Sequence, residues 1–323
     1  MGTLQTSSFI TKNQNVEPKI VVLIPCLNEE KTIAKVVRDF KNELPQAEII
    51  VFDNNSIDRT EQEARAAGAT VESEKRRGKG FVVQSMFQRV EADVFVLVDG
   101  DDTYPAEMVH DLISHILKDE ADMTVGSRIS SGSKSQFHPL NRLGNKFYQY
   151  MINTIFRTRL SDILSGYRCM NRRFVKGIPI FVTGFEVETE LTIKALERGY
   201  RITEIPIDLR SRHEGSASKI RIFRDGFKIL WTILALFRDY KPLTFFGIVG
   251  MLFILVGFIP GLIVIYEYFT TGLVLRFPSA ILAVGLVVTG MLLLVIGLTL
   301  HTINRRFQEL EYYMRLHAER SGK

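Results

Sequence analysis

The chain has 323 residues, of which 46% are hydrophobic and 24% charged, and its formal net charge is +5. This length allows one catalytic domain and a smaller second part. So modest a charge suits an anionic membrane surface or a phosphate-bearing substrate, and the lack of a basic stripe with interleaved aromatic residues argues against nucleic acid as a partner. Cys26 and Cys169 lie in apolar stretches without metal-ligand spacing, so we expect free core thiols in a reducing compartment.

The N-terminal segment differs in composition from the rest of the chain. Residues 1–18 are polar and have no apolar run of the signal-peptide type, so we expect a flexible N-terminus and a soluble part that stays in the cytosol. From residue 19 onward, short β-branched apolar runs alternate with segments of helical spacing. The predicted strands are 19–25, 48–53, 69–73 and 93–102, and the predicted helices are 29–44, 57–67 and 79–91.

This alternation predicts an α/β domain, over residues 19–218, with a parallel sheet and helices on both of its faces. Such sheets bind ligands at the carboxyl ends of their strands. Polar clusters follow three of the predicted strands at that position, namely Asn28-Glu29, Asp53–Ser56 and Asp99–Asp102. We therefore expect the functional site at this edge.

The C-terminal part contains two apolar stretches, residues 243–266 and 278–300. Each is long enough to cross about 30 Å of hydrocarbon as a helix, and both are Gly-rich and apolar on all sides. We predict a transmembrane hairpin over 243–303, with a buried soluble hairpin as the alternative. Basic residues flank the hairpin, which by the positive-inside rule places both ends in the cytoplasm. These are Arg238, Lys241, Arg305, Arg306, Arg315 and Arg320.

Two further segments border the hairpin. Residues 219–242 combine a broad apolar face with basic residues, which predicts interfacial helices lying on the membrane. A core helix of the catalytic domain is the alternative. Residues 304–323 are charged and predict a cytosolic or surface-lying helix. A set of glycines in the first apolar stretch could let copies of the chain associate through their helices. These are Gly247, Gly250, Gly257 and Gly261.

The run Asp99-Gly100-Asp101-Asp102 ends a predicted strand. Clustered carboxylates repel one another unless a cation lies among them. A divalent metal that bridges a diphosphate is the natural partner, because it neutralises the charge that develops on a leaving group. A solvated Asp-rich turn is the alternative, and the position at the end of a strand favours the metal.

Several basic residues lie among glycines and serines, a context that suits phosphate binding through backbone amides and guanidinium groups. They are Arg128, Arg142, Arg168 and the stretch 212–219. The run KRRGKG at 75–80 adds a turn in which Lys79 could touch a donor diphosphate. A solvated loop accounts for that run equally well.

Seven strings in order resemble the family 2 glycosyltransferases of the GT-A fold and, within them, the dolichyl- or polyprenyl-phosphate sugar synthases. The resemblance covers nearly all of residues 19–240, and two C-terminal membrane helices also recur in that group. The strings are IPCLNEE (24–30), FDNNSIDRT (52–60), DGDDTYPAE (99–107), VGSR (125–128), DILSGYR (162–168), EVETEL (186–191) and RHEGSASK (212–219).

The resemblance implies a role for each matching position, with a nucleotide-sugar donor, Mg²⁺ or Mn²⁺, a polyprenyl phosphate acceptor and a lipid bilayer as partners. The implied donor-binding residues are Pro25, Leu27, Asn28, Glu29, Asp53, Asn55, Lys79, Asp99, Gly100, Asp101 and Glu188. Of these, Asp53 would accept a hydrogen bond from the base. The implied metal ligands are Asp99, Asp101 and Thr103. The implied lipid-phosphate contacts are Arg128, Arg142, Ser165, Arg212, Ser218 and Lys219. The implied catalytic residues are Asp101, Arg128, Arg142, Arg168 and Glu190.

One position departs from the family pattern. Mannosyl-type members often have a Gln at the position of Thr103, and that Gln can join the metal. Thr103 could ligate through its hydroxyl or through a water. The departure favours a uridine donor, whereas neither the sugar nor the length of the lipid can be read from the sequence.

The nature of the acceptor decides what the carboxylates must do. A phosphate monoester has a second pKa of about 6 and needs no general base, so Glu188 and Glu190 would contact sugar hydroxyls or brace an arginine. A hydroxyl acceptor would instead need one of them as a base. A processive polysaccharide synthase would carry a QxxRW motif, and the single Trp231 stands in another context. A non-catalytic membrane scaffold is the remaining alternative.

Overall fold

The computed structural model describes residues 17–128, 139–210 and 222–321, with side chains for 17–128, 144–210, 226–310 and Tyr313. The chain divides between Gly226 and Phe227 into two compact units. The predicted boundary at residue 218 lies outside the described residues.

Within the described residues, the first unit contains seven strands and seven complete helices. The strands are β1 Ile20–Cys26, β2 Glu48–Asp53, β3 Thr70–Ser73, β4 Val94–Leu97, β5 Met123–Ser127, β6 Arg168–Asn171 and β7 Ile202–Pro206. The helices are α1 Ile33–Glu43, α2 Thr60–Ala66, α3 Lys79–Arg89, α4 Val109–Leu117, α5 Pro139–Phe156, α6 Arg172–Gly177 and α7 Val187–Glu197, with a 3₁₀ turn at Ala106–Met108 before α4. Helix α8, Ile222–Tyr240, continues into the second unit.

The seven strands form one mixed sheet in the order β3-β2-β1-β4-β6-β5-β7. Strands β1 to β4 are parallel, as predicted, and β5 pairs in parallel with β7. Strand β6 is antiparallel to both β4 and β5, so the expectation of an all-parallel sheet is wrong at this point. The four residues of β6 are too few and too mixed to carry a recognisable strand pattern.

The sheet is covered on both faces, which confirms the predicted layers. Val22 and Ile24 of β1 pack with α1 and α4, whereas Val21 and Leu23 pack with α3 and α7 on the opposite face. All four side chains are completely buried. Burial on both faces explains why β1 has a continuous apolar sequence rather than an alternating one.

The second unit contains two long helices, α9 at Pro242–Thr271 and α10 at Phe277–Ser321. Both are long and apolar enough to cross a membrane, with a mean hydropathy of 2.8 over each span. Only 17% of the residues in each apolar window are buried, which argues against the alternative of a buried soluble hairpin. Helix α10 continues past residue 303 without a break, so the predicted C-terminal helix is an extension of it.

The glycines of α9 pack against α10 of the same chain. A Cβ on Gly250 would lie 2.7 Å from the carbonyl oxygen of Gly290, and one on Gly257 would lie 3.0 Å from Leu286 Cβ. The corresponding site at Gly261 is 3.6 Å from Ala283, and Gly247 alone of the four predicted glycines faces open space. Close helix approach within one hairpin therefore accounts for Gly250 and Gly257 without association between copies.

Candidate active site

Three turns follow β1, β2 and β4 at the carboxyl edge of the sheet, because these strands are parallel neighbours. Each turn contains one residue at positive φ: Asn28 at 53°, Asn55 at 64° and Asp102 at 56°. Asn and Asp tolerate this left-handed region better than other residues that carry a Cβ. The Asn- and Asp-rich composition of the turns is thus explained in part by their backbone geometry.

Hydrogen bonds tie the three turns together. The amide of Asn28 donates to Ser56 Oγ at 2.9 Å, and its side-chain oxygen accepts from the amide of Ile57 at 2.9 Å. The hydroxyl of Thr32 donates to the carbonyl of Gly100 at 2.7 Å, which connects the first and third turns. These bonds hold the three turns side by side at the carboxyl edge of the sheet.

Three further predicted donor-site residues, on β1 and in the turn that follows it, lie at the same edge. Pro25, Leu27 and Glu29 are partly exposed, and the amide of Glu29 donates to Thr60 Oγ1 at 2.7 Å. Gly100 is buried, and a Cβ there would lie 2.6 Å from Cys26 Sγ. Only glycine fits this point of the turn without moving β1.

Asp53 presents a buried carboxylate with one uncommitted oxygen. Its side chain is 7% exposed, and Oδ2 accepts from the amide of Ser56 at 3.1 Å. The other oxygen, Oδ1, is buried and has no hydrogen-bond partner among the described residues. Such an oxygen is costly to leave unpaired, which makes it a candidate acceptor for an N–H of a bound base.

The neighbouring asparagines have different surroundings. Asn55 is exposed, whereas Asn54 is buried and was not singled out from the sequence. Asn54 Nδ2 donates to the carbonyls of Glu74 and Arg76 at 2.9 and 2.7 Å, and its Oδ1 accepts from the amide of Gly78 at 2.8 Å. Asn54 therefore fixes the loop that leads into α3. The sequence Asp53–Ser56 indicated a polar turn after β2, but it did not show that Asn54 is the residue that fixes this loop.

Lys79, the first residue of α3, lies between two carboxylates. Its Nζ is 2.5 Å from Asp99 Oδ1 and 2.5 Å from Glu188 Oε1, and the three side chains are 11, 29 and 5% exposed. Burial disfavours the ammonium ion, but attraction from Asp99 and Glu188 outweighs it and raises the pKa of Lys79 above its usual range. The structure thus brings two of the predicted donor-site residues, Asp99 and Glu188, to the ammonium group of a third, Lys79.

Asp101 and Thr103 stand at the same turn. Asp101 is partly exposed and its Oδ1 accepts from the amide of Thr103 at 3.2 Å, while Thr103 Oγ1 is buried and finds no hydrogen-bond partner in the part of the chain that the structure describes. The described residues contain no group of three His, Cys, Asp or Glu side chains that could by themselves hold a metal. Asp101 and Asp99 suit a hard cation whose remaining ligands are phosphate oxygens and water. The unpaired hydroxyl of Thr103 is consistent with a water-mediated place beside such a cation.

Tyr104, which directly follows the aspartate turn, and Gly166 of the 162–168 loop hold this turn in place, and neither was predicted as a site residue. The amide of Gly166 donates to the Tyr104 hydroxyl oxygen at 2.9 Å, and a Cβ on Gly166 would collide with the carboxylate of Asp99. Burial raises the pKa of Tyr104, which keeps the phenol neutral. These contacts fix where Asp99 can lie.

Arg128, at the end of β5, forms a forked ion pair with Asp162. The distances are 2.6 Å from Nε to Oδ2 and 2.8 Å from Nη2 to Oδ1, and Asp162 is 1% exposed. Burial opposes the charge of Arg128, but attraction and hydrogen bonds from the Asp162 carboxylate outweigh it and raise the pKa of the guanidinium. Glu204 in turn accepts from the amides of Ser161 and Asp162 at 2.8 to 2.9 Å. Arg128 is therefore a rigidly held cation.

Arg168 is placed differently from the prediction. Its side chain is completely buried and donates to the carbonyls of Ser165 and Ile163 and to the hydroxyl of Thr192, each at 2.9 Å. Burial lowers the pKa of this guanidinium. With every one of these bonds made to the protein, Arg168 shapes the 162–168 loop instead of presenting a charge to a ligand. The local sequence around Arg168 does not indicate that its side chain is buried, because the burial depends on the packing of α7 against it.

The predicted lipid-phosphate contacts are only partly described. Ser165 is completely buried, and its hydroxyl oxygen accepts from the amide of Tyr167 at 3.4 Å, so the expected surface contact is not what the structure shows. Arg142 lies in α5, with its side chain outside the described residues. Arg212, Ser218 and Lys219 also lie outside the described residues.

The two glutamates of α7 have separate surroundings. Glu188 belongs to the cluster around Lys79, whereas Glu190 is 1% exposed and lies 2.7 Å from Lys194 Nζ. Residues two apart on a helix point about 200° away from each other. Only Glu188 therefore adjoins the carboxyl edge.

A mixed sheet with polar turns and an aspartate cluster at its carboxyl edge is the architecture of a GT-A glycosyltransferase domain. A model of the family "Glycosyl transferase family 2" matches residues 21–178. The glycosyltransferase AglJ of Haloferax volcanii is 30% identical over 300 residues, which cover 90% of this chain and 98% of AglJ. The chain belongs to glycosyltransferase family 2.

Two other proteins extend the comparison. The dolichyl-phosphate hexose transferase of Haloferax volcanii is 30% identical over 211 residues, covering 65% of this chain and 90% of that protein. The glucosyl-3-phosphoglycerate synthase of Mycobacterium tuberculosis, solved with Mn²⁺, UDP-glucose and phosphoglyceric acid, has a TM-score of 0.59 at 22% identity over 68% of this chain and 80% of that one. At 22% identity, the likeness to glucosyl-3-phosphoglycerate synthase shows the fold alone. The family assignment makes this protein a glycosyltransferase.

Proposed function

We propose that this glycosyltransferase moves a hexose or N-acetylhexosamine from a nucleotide-sugar, UDP-linked rather than GDP-linked, onto the phosphate of a polyprenyl phosphate. The reaction takes place at the cytoplasmic face of a membrane, with α9 and α10 as the anchor. The names of relatives such as dolichyl-phosphate hexose transferase support the acceptor, and the length and hydropathy of the two helices support the anchor.

One observation carries the choice of acceptor: both candidate bases are already committed to lysines. Glu188 is 5% exposed and lies 2.5 Å from Lys79, and Glu190 is 1% exposed and lies 2.7 Å from Lys194. A carboxylate in contact with an ammonium group and closed to solvent is poorly placed to take a substrate proton. A phosphate acceptor needs no such base, since its second pKa of about 6 leaves it largely dianionic near neutrality.

The course of the reaction is set by that acceptor. A phosphate oxygen of the lipid attacks C1 of the sugar from the side opposite the diphosphate, the new O–C1 bond forms, and the nucleoside diphosphate leaves with the electrons of the broken bond. The anomeric centre is thereby inverted. Arg128, held by Asp162, is near enough to Asp99 for the two charges to attract, and a cation there can orient the two phosphate groups for in-line attack.

The donor is held at the carboxyl edge of the sheet. Asp53 Oδ1 accepts from the base, and Lys79 supplies a positive charge near the diphosphate. Asp99 and Asp101, with Thr103 through a water, would hold Mg²⁺ or Mn²⁺, and the metal when bound neutralises charge on the leaving diphosphate. Thr103 in place of a longer amide side chain favours the uridine donor.

A transfer assay in detergent tests the proposal. The purified full chain is given polyprenyl phosphate, Mn²⁺ or Mg²⁺ and labelled UDP- and GDP-sugars one at a time. We expect label to enter a lipid that mild acid releases, and we expect Asp101→Ala to abolish it. Asp111→Ala, which removes an exposed carboxylate from α4, is the matched control and should retain wild-type transfer.

The outcomes separate the alternatives. Labelling from a GDP-sugar alone would refute the uridine donor and keep the acceptor. Binding of a donor without labelled lipid in any combination would refute the polyprenyl phosphate acceptor and favour a hydroxyl acceptor. Failure of every donor to bind would favour a non-catalytic scaffold.

A further inference from the structure

A second buried ion pair lies on α7, apart from the cluster around Lys79. Glu190 and Lys194 are one helical turn apart and each 1% exposed, with 2.7 Å between Oε1 and Nζ. Taking two charges out of water costs several kcal/mol per ion, so such a pair does little for stability by itself. Its hydrogen bonds to the backbone show what it does for the fold.

Both members of the pair hold one backbone segment, residues 179–182. Glu190 accepts from the amides of Phe181 and Val182 at 3.1 Å, and Lys194 donates to the carbonyl of Pro179 at 2.5 Å. The ring of Phe181 is 75% exposed. Burial of Ile180, which is 3% exposed, and the charge-assisted hydrogen bonds of the pair together hold the segment.

The same segment sets the position of the first turn of α3. The amide of Gly80 donates to the carbonyl of Thr183 at 3.1 Å. A Cβ on Gly78 would collide with the carbonyl oxygen of Thr183, and one on Gly80 with that of Val182. The backbones are thus in direct contact on both sides of Lys79, so a shift of residues 181–183 would be passed to Lys79.

We infer that Glu190, with Lys194, is a positioning residue for donor binding: the buried pair fixes residues 179–183, and these fix Lys79 against Asp99. The inference rests on the proposed role of Lys79 at the donor diphosphate. It assigns Glu190 no contact with substrate and no part in proton transfer. Both glutamates then help to position Lys79: Glu188 contacts its ammonium group directly, and Glu190 acts through the backbone of residues 181–183.

Two double variants separate positioning from acid–base chemistry. Glu190→Met with Lys194→Met removes both charges at similar volume and leaves the two amides without an acceptor. Glu190→Gln with Lys194→Met also removes both charges but keeps an acceptor oxygen. Replacing a buried pair by uncharged residues of similar size is often tolerated by the fold. Glu61→Gln, which removes an exposed ion pair with Arg65 on α2, is the control.

The measurement is calorimetric binding of UDP, with GDP in parallel, to the full chain in detergent with Mn²⁺. We expect the Met/Met variant to bind at least tenfold more weakly than wild type, the Gln/Met variant to recover binding to within about threefold, and the control to match wild type. In turnover, the KM for the donor should rise while the KM for polyprenyl phosphate stays unchanged. Thermal melting reports whether each variant is folded.

Gly80→Ala tests the same contact without touching the pair, and decides the matter if the Met/Met variant fails to fold. We expect it to weaken UDP binding at least tenfold, whereas Gly144→Ala, with 3.8 Å to the nearest side chain, should not. Wild-type binding in the Met/Met and Gly80→Ala variants would overturn the inference. So would wild-type binding with turnover lost equally in the Gln and Met variants, because that pattern identifies a base.

The binding test of Glu190 does not depend on whether the proposed acceptor is correct. If the wild-type chain binds UDP but labels no polyprenyl phosphate, the proposed acceptor fails while the binding comparison still decides the role of Glu190. If the wild-type chain binds neither UDP nor GDP, the donor role of Lys79 fails and this inference fails with it.

Discussion

Gly166 lies directly against the carboxylate of Asp99, so closely that the position has no room for a Cβ. Because Asp99 also contacts Lys79, a loop remote in sequence limits where both charged groups can lie. The residue that brings the two loops together is Tyr104, whose hydroxyl oxygen accepts from the Gly166 amide. The geometry of the aspartate turn therefore depends on the 162–168 loop as much as on its own sequence.

Replacing Gly166 by Ala should displace Asp99 and impair catalysis more than folding. We expect kcat/KM to fall at least tenfold, since displacement of about 1 Å in a reacting site can cost a factor of about 100. Gly144→Ala, in helix α5, is the control and should leave kcat/KM unchanged. The prediction fails if Gly166→Ala keeps wild-type kcat/KM, or if thermal melting shows no folded state to which the loss of activity could be compared.

Lys79→Met should leave Asp99 and Glu188 facing each other without a cation. Breaking a buried pair by removing one partner costs about 3 kcal/mol or more. Like charges at close range raise a carboxyl pKa, so the lost stability should be greatest at pH 8 and recover as the pH falls and a carboxylate takes up a proton. Thermal melting between pH 5 and pH 8 measures this trend.

A second substitution tests the cause. Lys79→Met combined with Glu188→Gln removes the repulsion and should restore most of the stability at pH 8. A double variant no more stable than Lys79→Met at that pH would show that the cost comes from packing, not from charge.

Glu74 predicts a separate acid sensitivity. Hydrogen bonds from Arg76, and then from Ser85, outweigh burial and lower the pKa of Glu74 from 4.5 to about 2. A carboxyl group with a lowered folded-state pKa contributes stability above about pH 4.5, and the contribution is lost as the pH falls toward 2. Glu74→Gln should therefore destabilise the protein at pH 7 by up to about 3 kcal/mol, and by progressively less below pH 4.5. Denaturant unfolding at pH 7, 4 and 3 measures it, and an equal loss at all three would contradict the electrostatic cause.

The hairpin glycines give a test that needs no substrate. Gly250→Leu should separate α9 from α10, because the carbonyl of Gly290 occupies the space, and such overpacking costs about 1 to 3 kcal/mol. Gly247→Leu faces open space and should leave the melting temperature in detergent unchanged. Size-exclusion chromatography of the same two variants shows whether either glycine packs against another copy. A changed oligomeric state in Gly247→Leu would place association at that face.

The sequence predicted the layers of the catalytic unit well and one strand of it poorly. Strands β1, β2 and β4 are continuous apolar runs that end in polar turns, which is the pattern of strands buried on both faces. Strand β6 has four residues and begins with the buried Arg168, so its local sequence pattern does not predict an antiparallel strand. Its direction depends on pairing with β4 and β5, which are distant in sequence.

By itself, the sequence determined which residues stand at the carboxyl edge and that two helices are long and apolar enough to cross a membrane. Both depend on local periodicity and hydropathy, which neighbouring residues carry. Only the tertiary structure decided what each charged residue does there: Lys79 joins Asp99 to Glu188, Glu190 holds a backbone segment, and Arg168 is buried. The reason is physical, because the energy of a charge depends on the groups and the solvent around it, and folding brings those groups from distant parts of the chain.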